Sequence, residues 1–116
     1  KWLAPYLSYS LAKFGLSMSV MGWAEEFKGQ VQVNGLWPRT LIATAAVQNL
    51  LGGDVMIDKS RKPEIVAEAA SWILKGSSES GKIYLDEDII KGQLGLDPNS
   101  FAVNPAVKPV LDIYVD

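Results

Sequence analysis

The first quarter of the chain has hydrophobic residues on most faces of a predicted helix. Between residues 7 and 27, large apolar residues repeat at helical spacing in two stripes, and small residues form a third stripe. The pattern predicts a helix that ends at Lys28-Gly29 and begins near Pro5, a suitable first helical residue, or Ser8, a suitable N-cap. A helix with so little polar surface is either a central core helix or a subunit interface, and both need more protein around it. The large stripes are Leu7, Leu11, Phe14, Met18 and Met21, and Leu16, Val20, Trp23 and Phe27; the small stripe is Ser8, Ala12, Gly15, Ser19 and Gly22.

The remaining pattern alternates short strands with helices. β-Branched runs predict two strands, the first ended by Pro38 and the second preceded by a glycine- and serine-rich turn. The order helix, strand, helix, helix, strand is typical of the α/β class. We expect the two strands to pair in parallel, with a right-handed crossover through the helix between them. The predicted segments are strands at 30–37 and 82–85, helices at 40–51 and 63–75, a loop at 54–62, one helical turn at 87–91, and an extended tail from residue 99.

The composition excludes several kinds of site. The 116 residues fit one domain at most, and the net charge of −2 without a basic cluster argues against a nucleic-acid partner. The absence of cysteine and histidine excludes thiol nucleophiles, Ser-His-Asp triads, disulfides and Cys/His metal sites. No apolar run approaches the ~18–20 residues needed to span a bilayer, and the start does not resemble a signal peptide. Tyrosine, lysine and carboxylate side chains remain as candidates for proton transfer.

One tyrosine and one lysine have a spacing that suits proton transfer. On a helix, Tyr9 and Lys13 lie one turn apart on the same face. A nearby cation lowers the pKa of a phenol from its ordinary value of ~10, which allows proton transfer at neutral pH. The alternative is an ordinary tyrosine with a solvated lysine one turn away, because this spacing is common by chance.

The order of motifs after Tyr9 makes the signal specific. The helix carrying Tyr-x-x-x-Lys is followed by a strand that includes Asn34 and then by Pro38. This order resembles the short-chain dehydrogenase/reductase family, in which a strand ending in asparagine and a Pro-Gly loop follow the catalytic helix. The resemblance covers essentially the whole chain. Its other segments are 22–29 (GWAEEFKG), 34–40 (NGLWPRT), 43–46 (ATAA), 60–63 (SRKP) and 81–87 (GKIYLDE).

The resemblance implies roles for particular residues. Tyr9 would be the catalytic acid/base, and Lys13 would lower its pKa and bind the nicotinamide ribose. Ile42 would hold the carboxamide through its backbone, and Thr40 or Thr44 would face the pyrophosphate of NAD or NADP. Trp37-Pro38 would line the nicotinamide pocket. Arg39 departs from the glycine usual in the family, and the loop to Thr44 is one residue longer, so the positions after Pro38 match the motif less closely.

The resemblance also implies an architecture. Residues 1–116 would be the C-terminal half of a single Rossmann-type domain with a doubly wound parallel sheet, contributing two strands and about three helices. The family's catalytic serine and Gly-rich phosphate loop precede the tyrosine and have no counterpart in residues 1–116. The chain alone is therefore expected to be inactive and to need the N-terminal half.

The implied function is hydride transfer between a nicotinamide cofactor and a small-molecule alcohol or carbonyl substrate. Residues 41–51 would form a mobile lid, and their apolar character suits an apolar substrate, although an ordinary amphipathic helix is the alternative. We expect a homo-oligomer, no membrane partner and, for a microbial source, a cytoplasmic location. Two competing hypotheses are a non-catalytic fragment that contributes helices to an assembly without binding a cofactor, and an apolar-ligand carrier that uses residues 41–51.

Overall fold

The protein combines five α-helices with two short strands in a computed structural model that describes residues 2–77, without the side chain of residue 77, and residues 79–115. Positions 1, 78 and 116 of the predicted domain lie outside the described residues. In chain order the elements are α1 (Leu7–Glu26), β1 (Gly35–Trp37), α2 (Ala45–Leu50), α3 (Gly53–Asp58), α4 (Glu64–Trp72), a π-helical turn (Ile73–Ser77), β2 (Ile83–Leu85), α5 (Asp86–Gly92) and a 3-10 turn (Pro98–Phe101).

The two strands pair in parallel, as the sequence predicts. Gly35 is opposite Ile83, and Trp37 is opposite Leu85 at the carboxyl ends of the strands. This pairing and the surrounding helices confirm the α/β fold class. The handedness of the crossover stays a prediction.

Strand β1 is shorter than predicted because side chains replace part of the backbone pairing before Gly35, although the backbone N–H of Gly81 still donates to the carbonyl of Val33 at 2.8 Å. The backbone N–H of Val33 donates to the hydroxyl of Ser80 at 3.1 Å. The amide oxygen of Asn34 accepts from the backbone N–H of Lys82 at 3.0 Å. Residues 30–34 therefore do not form a regular ladder with β2.

The prediction for residues 40–62 is wrong in two places. The helix predicted at 40–51 begins only at Ala45, because Thr44 is its N-cap and residues 40–43 are extended. The predicted loop at 54–62 contains most of α3, which begins at Gly53 directly after Gly52, and both glycines have positive φ. Leu51 and Gly52 separate α2 from α3, and Asp54 in the first turn of α3 suits a helix N-terminus.

Helix α1 has the predicted extent and an unusually exposed surface. Its N-cap is Tyr6, without a side-chain hydrogen bond, so neither the predicted first helical position for Pro5 nor the predicted cap at Ser8 is correct. Ser10 is the buried residue of this helix. Leu11 and Met18 are each 67% exposed. The prediction that α1 packs against further protein stays a prediction.

The core lies between α4, α5 and the sheet. Ile65 and Ala69 of α4 and Ile89 and Ile90 of α5 are fully or almost fully buried. The tail after α5 is not simply extended, because it includes the 3-10 turn and forms isolated bridges from Ala102 to Arg61 and from Leu111 to Thr40. These bridges bring the last residues next to the loop that follows β1.

Candidate active site

Tyr9 and Lys13 lie together on α1 beside the carboxyl end of β1. The ammonium nitrogen of Lys13 is 5.6 Å from the centroid of the Tyr9 ring. Both side chains line a cavity of about 320 Å³ whose wall also includes Trp37 and Pro38. The structure therefore brings together Tyr9, Lys13 and Pro38, which the sequence predicts to share a site.

A second cavity, of about 330 Å³, lies on the other side of Tyr9. Tyr9 and Pro38 line it too, together with Ile42, Thr44 and the apolar face of α2. Its apolar residues suit a ligand with a largely apolar body. The side chains from the 41–51 segment that line this cavity are Leu41, Ile42, Thr44, Ala46, Val47, Leu50 and Leu51.

Ile42 presents its backbone in a form that can bind a ligand. It forms a parallel bridge with Arg61. The bridge uses its neighbours, because Arg61 N–H donates to Leu41 at 2.9 Å and Ala43 N–H donates to Arg61 at 2.8 Å. The N–H and C=O of Ile42 therefore point away from this pairing and have no hydrogen-bond partner within residues 2–77 and 79–115.

The two candidate threonines are placed differently. Thr44 lines the second cavity, although its hydroxyl already accepts from the backbone N–H of Val47 at 3.4 Å. Thr40 is almost fully buried, and its hydroxyl donates to the carbonyl of Leu41 at 3.3 Å. Thr40 lines neither cavity, so the structure does not bring it to the site.

The tail supplies residues that the sequence reasoning did not include. Asp112 and Ile113 line both cavities, and Tyr114 lines the first. The tail is fixed to the loop after β1, because Asp112 N–H donates to the carbonyl of Arg39 at 3.1 Å and Leu41 N–H donates to Val110 at 3.0 Å. These contacts join distant parts of the chain, so no local motif signals them.

Tyr114 connects the tail to α1 through an aromatic cluster. Its ring is 5.0 Å from Phe14 and 6.5 Å from Trp37, centroid to centroid. Its hydroxyl forms a hydrogen bond with the buried hydroxyl of Ser10. Tyr114 also has φ of 71°, a value that non-glycine residues seldom adopt. Through Trp37 and Tyr114 the cluster forms part of the wall of the first cavity.

The electrostatic environment of Tyr9 differs from the sequence expectation. Burial raises the pKa of the Tyr9 phenol, and the negative charge of Asp112 and the neighbouring Tyr114 raise it further. The direction is opposite to the lowering expected from Lys13. Burial is also the main cause that raises the pKa of Asp112, whereas Lys13 opposes that rise.

Two other kinds of feature are not found in the described part of the chain. Within residues 2–77 and 79–115, no cluster of three or more acidic side chains is arranged to hold a metal ion. No α-helix among the same residues combines the length and apolar character required to cross a bilayer.

The pair of Tyr9 and Lys13, one turn apart on α1, belongs to the motif by which the sequence resembles the short-chain dehydrogenase/reductase family. Comparison with known proteins confirms this resemblance over nearly the entire chain. The curated protein from zebrafish (Danio rerio) called hydroxysteroid dehydrogenase-like protein 2, to which the sequence motifs are also similar, is 42% identical over 116 residues. The human (Homo sapiens) protein of the same name is 40% identical over 116 residues.

Solved structures agree in fold. A protein from Xanthomonas campestris described as a dehydrogenase has a TM-score of 0.86 and 36% identity. A short chain dehydrogenase from Mycobacterium thermoresistibile has a TM-score of 0.83 and 42% identity. The comparisons support a dehydrogenase-like α/β fold and do not favour a purely structural, non-catalytic piece. No protein-family model matches the chain.

The chain spans only part of these relatives. Each match covers 99% of this chain but 28% of the zebrafish and human proteins. The corresponding shares of the two solved chains are 43% and 41%. The matched region is thus less than half of each relative.

Proposed function

We propose that this chain provides the proton-transfer and substrate-binding part of an NAD(P)-dependent short-chain dehydrogenase/reductase. The substrate would be an alcohol or a carbonyl compound with a largely apolar body. The observation that carries the proposal is the position of Tyr9, which stands between two cavities with Lys13 on one side and the apolar face of α2 on the other. The similarity to proteins named dehydrogenases supports it.

The residues around Tyr9 fit the nicotinamide part of a dinucleotide. The unpartnered backbone N–H and C=O of Ile42 suit a carboxamide, which has both an acceptor and a donor. Lys13 would hold the ribose, Pro38 would bound the nicotinamide, and Thr44 would face the pyrophosphate. The bound cofactor, NAD or NADP, supplies the hydride chemistry.

Tyr9 would move the proton. Because burial and Asp112 raise the pKa of the phenol, it carries its proton at neutral pH. It can then donate this proton to a carbonyl oxygen as that oxygen gains negative charge. Carbonyl reduction uses this protonated form of Tyr9, and alcohol oxidation needs Tyr9 to accept a proton.

Other parts of the proposal concern what surrounds this chain. Residues 1–116 would be the C-terminal part of one dehydrogenase domain, and a companion part would supply the catalytic serine and the phosphate-binding loop. The exposed apolar surface of α1 would pack against the companion part, a second subunit or both.

A chimeric enzyme tests the proposed role of Tyr9. This chain would replace the matched segment of the Mycobacterium thermoresistibile relative, and dinucleotide-dependent turnover would be screened with apolar ketones. We expect Tyr9→Phe to reduce kcat by ~10²–10⁴-fold, because one positioned proton donor is lost. Tyr84→Phe is the matched control, since the Tyr84 hydroxyl accepts from the backbone N–H of Glu79 at 3.2 Å and lines neither cavity. Near-normal kcat in a folded Tyr9→Phe chimera would reject the assignment.

A further inference from the structure

A buried carboxylate is hydrogen-bonded to the loop that forms the shared wall of the two cavities. Asp86 directly follows β2, whose last residue, Leu85, pairs with Trp37 at the end of β1. Oδ1 of Asp86 accepts from the backbone N–H of Arg39 at 2.8 Å and from its neighbour Glu87 at 2.6 Å. The side chain thus spans from the end of one parallel strand to the loop after the other. Asp86 is 0% exposed, so water does not compete for these hydrogen bonds.

Arg39 is held from its other side as well. Its carbonyl accepts from the backbone N–H of Asp112 at 3.1 Å. Its side chain forms an ion pair with Asp88 at 2.9 Å, but Asp88 is largely exposed, which makes this contact weak. Pro38 precedes Arg39 in the chain, and Asp112 is hydrogen-bonded to its carbonyl. Both residues line the two cavities next to Tyr9.

We propose that Asp86 is a positioning residue for the Tyr9 site. By accepting from the N–H of Arg39, its carboxylate sets where Pro38 and Asp112 stand in the wall that the two cavities share. The inference rests on the proposed function only in naming Tyr9 as the centre served. The placement of the wall follows from the hydrogen bonds themselves.

The Arg39 N–H needs an acceptor oxygen from the side chain at position 86. Without one, the N–H of Arg39 would be left without its partner in a part-buried position. The second oxygen, Oδ2, has no partner among residues 2–77 and 79–115. Asparagine keeps one acceptor oxygen and the same shape, whereas alanine keeps neither. Comparing these two replacements therefore separates the acceptor from the charge.

Asp86 has three charged neighbours among residues 2–77 and 79–115 that affect its pKa or share its surroundings: Arg61, Glu87 and Asp112. Arg61 and Glu87 form an ion pair at 2.5 Å beside it, and Asp112 is the next nearby carboxyl group. Burial raises the pKa of Asp86, although the hydrogen bonds from Arg39 and Glu87 and the charge of Arg61 oppose the rise. A pH-dependent shift of the Arg39 amide proton could therefore also arise from Glu87 or Asp112, and variants are needed to assign it to Asp86.

Amide NMR of the ¹⁵N-labelled 116-residue chain tests the positioning directly. Hydrogen exchange at Arg39 N–H should accelerate at least ~10-fold in Asp86→Ala, because a hydrogen bond to a charged group is lost, and stay within ~3-fold of wild type in Asp86→Asn. Amide shifts of Ile42 and Ile113 should move in the alanine variant only. Asp88→Ala is the control, since it removes the exposed contact of the same arginine and should change Arg39 exchange less than ~3-fold.

A pH titration of the amide protons tests the inference even if Asp86→Ala does not fold, because it uses only wild type and Asp86→Asn. The Arg39 and Glu87 amide protons of wild type should titrate together with one midpoint, and Asp86→Asn should abolish that titration. Unchanged Arg39 exchange in folded Asp86→Ala, equal effects of Asp88→Ala, or the absence of a shared titration would each overturn the inference. None of these readouts needs turnover, so an inactive chimera would count against the proposed function alone.

Discussion

The ammonium nitrogen of Lys13 lies 5.6 Å from the centroid of the Tyr9 ring. This distance is within the ~6 Å range of a cation–π contact, so Lys13 interacts with the Tyr9 ring. Asp112 lies in the wall of both cavities, and its negative charge raises the pKa of the Tyr9 phenol. The ionisation of Tyr9 therefore depends on burial and on a tail carboxylate that the motif does not include.

We expect Asp112→Asn to lower the pKa of Tyr9. The substitution removes a negative charge that disfavours the phenolate, while the burial of the ring stays the same. The measurement is a pH titration of ¹³C-tyrosine resonances in the 116-residue chain, with Tyr9 assigned through Tyr9→Phe. Asp97→Asn is the control, because its side chain caps the 3-10 turn and lines neither cavity. An unchanged or higher Tyr9 pKa in Asp112→Asn would contradict the prediction.

Asp86 and Asp112 should contribute less to stability as the pH rises above the ordinary aspartate range. Burial raises the pKa of both Asp86 and Asp112 above the ordinary value of 3.8. The folded state then binds the protons of Asp86 and Asp112 more tightly than the unfolded state does. The stability that these two groups contribute is fully present below pH 3.8 and is lost as the pH rises through their folded pKa values. Each group contributes a slope of at most ~1.4 kcal/mol per pH unit.

Urea unfolding between about pH 4 and pH 7 measures this effect. The free energy of unfolding of wild type should fall relative to that of Asp86→Asn/Asp112→Asn as the pH rises. The comparison cancels the titration of the other carboxyl groups, which both proteins share. A wild-type stability that rises relative to the double variant would reverse the assigned sign.

Local signals in the sequence predict much of the fold and site. The helical stripes predict α1, and the β-branched runs predict two parallel strands. The order of Tyr9, Lys13 and Pro38 places these residues at one site, and the structure brings them to one cavity. Each of these signals lies within a few residues or reflects a regular period, which is why the sequence alone reveals them.

The missed features depend on contacts between distant residues. The early part of predicted strand β1 is irregular because the Ser80 and Asn34 side chains replace part of the backbone pairing. Residues 40–43 are extended rather than helical because they bridge to Arg61 and Leu111. Asp112 reaches the site through the same tail pairing. Helix propensity in 40–51 could not reveal these partners, since tertiary contacts override it.

The exposed surface of α1 should cause the chain to associate. Leu11 and Met18 are seven residues apart on one stripe and each is 67% exposed. Covering such side chains is worth ~1.5–3 kcal/mol each. We expect sedimentation velocity to show concentration-dependent association of the 116-residue chain, which Leu11→Glu/Met18→Glu reduces. Leu74→Glu is the control, because Leu74 is an apolar residue outside α1 that is 84% exposed. A monodisperse monomer that binds no hydrophobic dye would contradict this expectation.

The close approach of β1 to β2 at Gly35 yields a prediction that needs no assumption about function. A Cβ added at Gly35 would stand 2.6 Å from Cδ1 of Ile83, its partner in the strand register. That contact is too short, so Gly35→Ala should destabilise the chain by about 1 kcal/mol, at the low end for overpacking because the end of the Ile83 side chain can move. Ile83→Val removes this one atom.

A double-mutant cycle between these two positions checks the prediction. In the Ile83→Val background the clash is gone, and the reduced freedom of the unfolded chain should make Gly35→Ala neutral or stabilising by ~0.4–1 kcal/mol. The new methyl group would also be 3.7 Å from Cγ2 of Val20, an ordinary packing contact with α1. Urea unfolding of the four proteins gives the coupling free energy. An equal cost of Gly35→Ala with isoleucine and with valine at position 83 would show that the strand spacing differs from the one described.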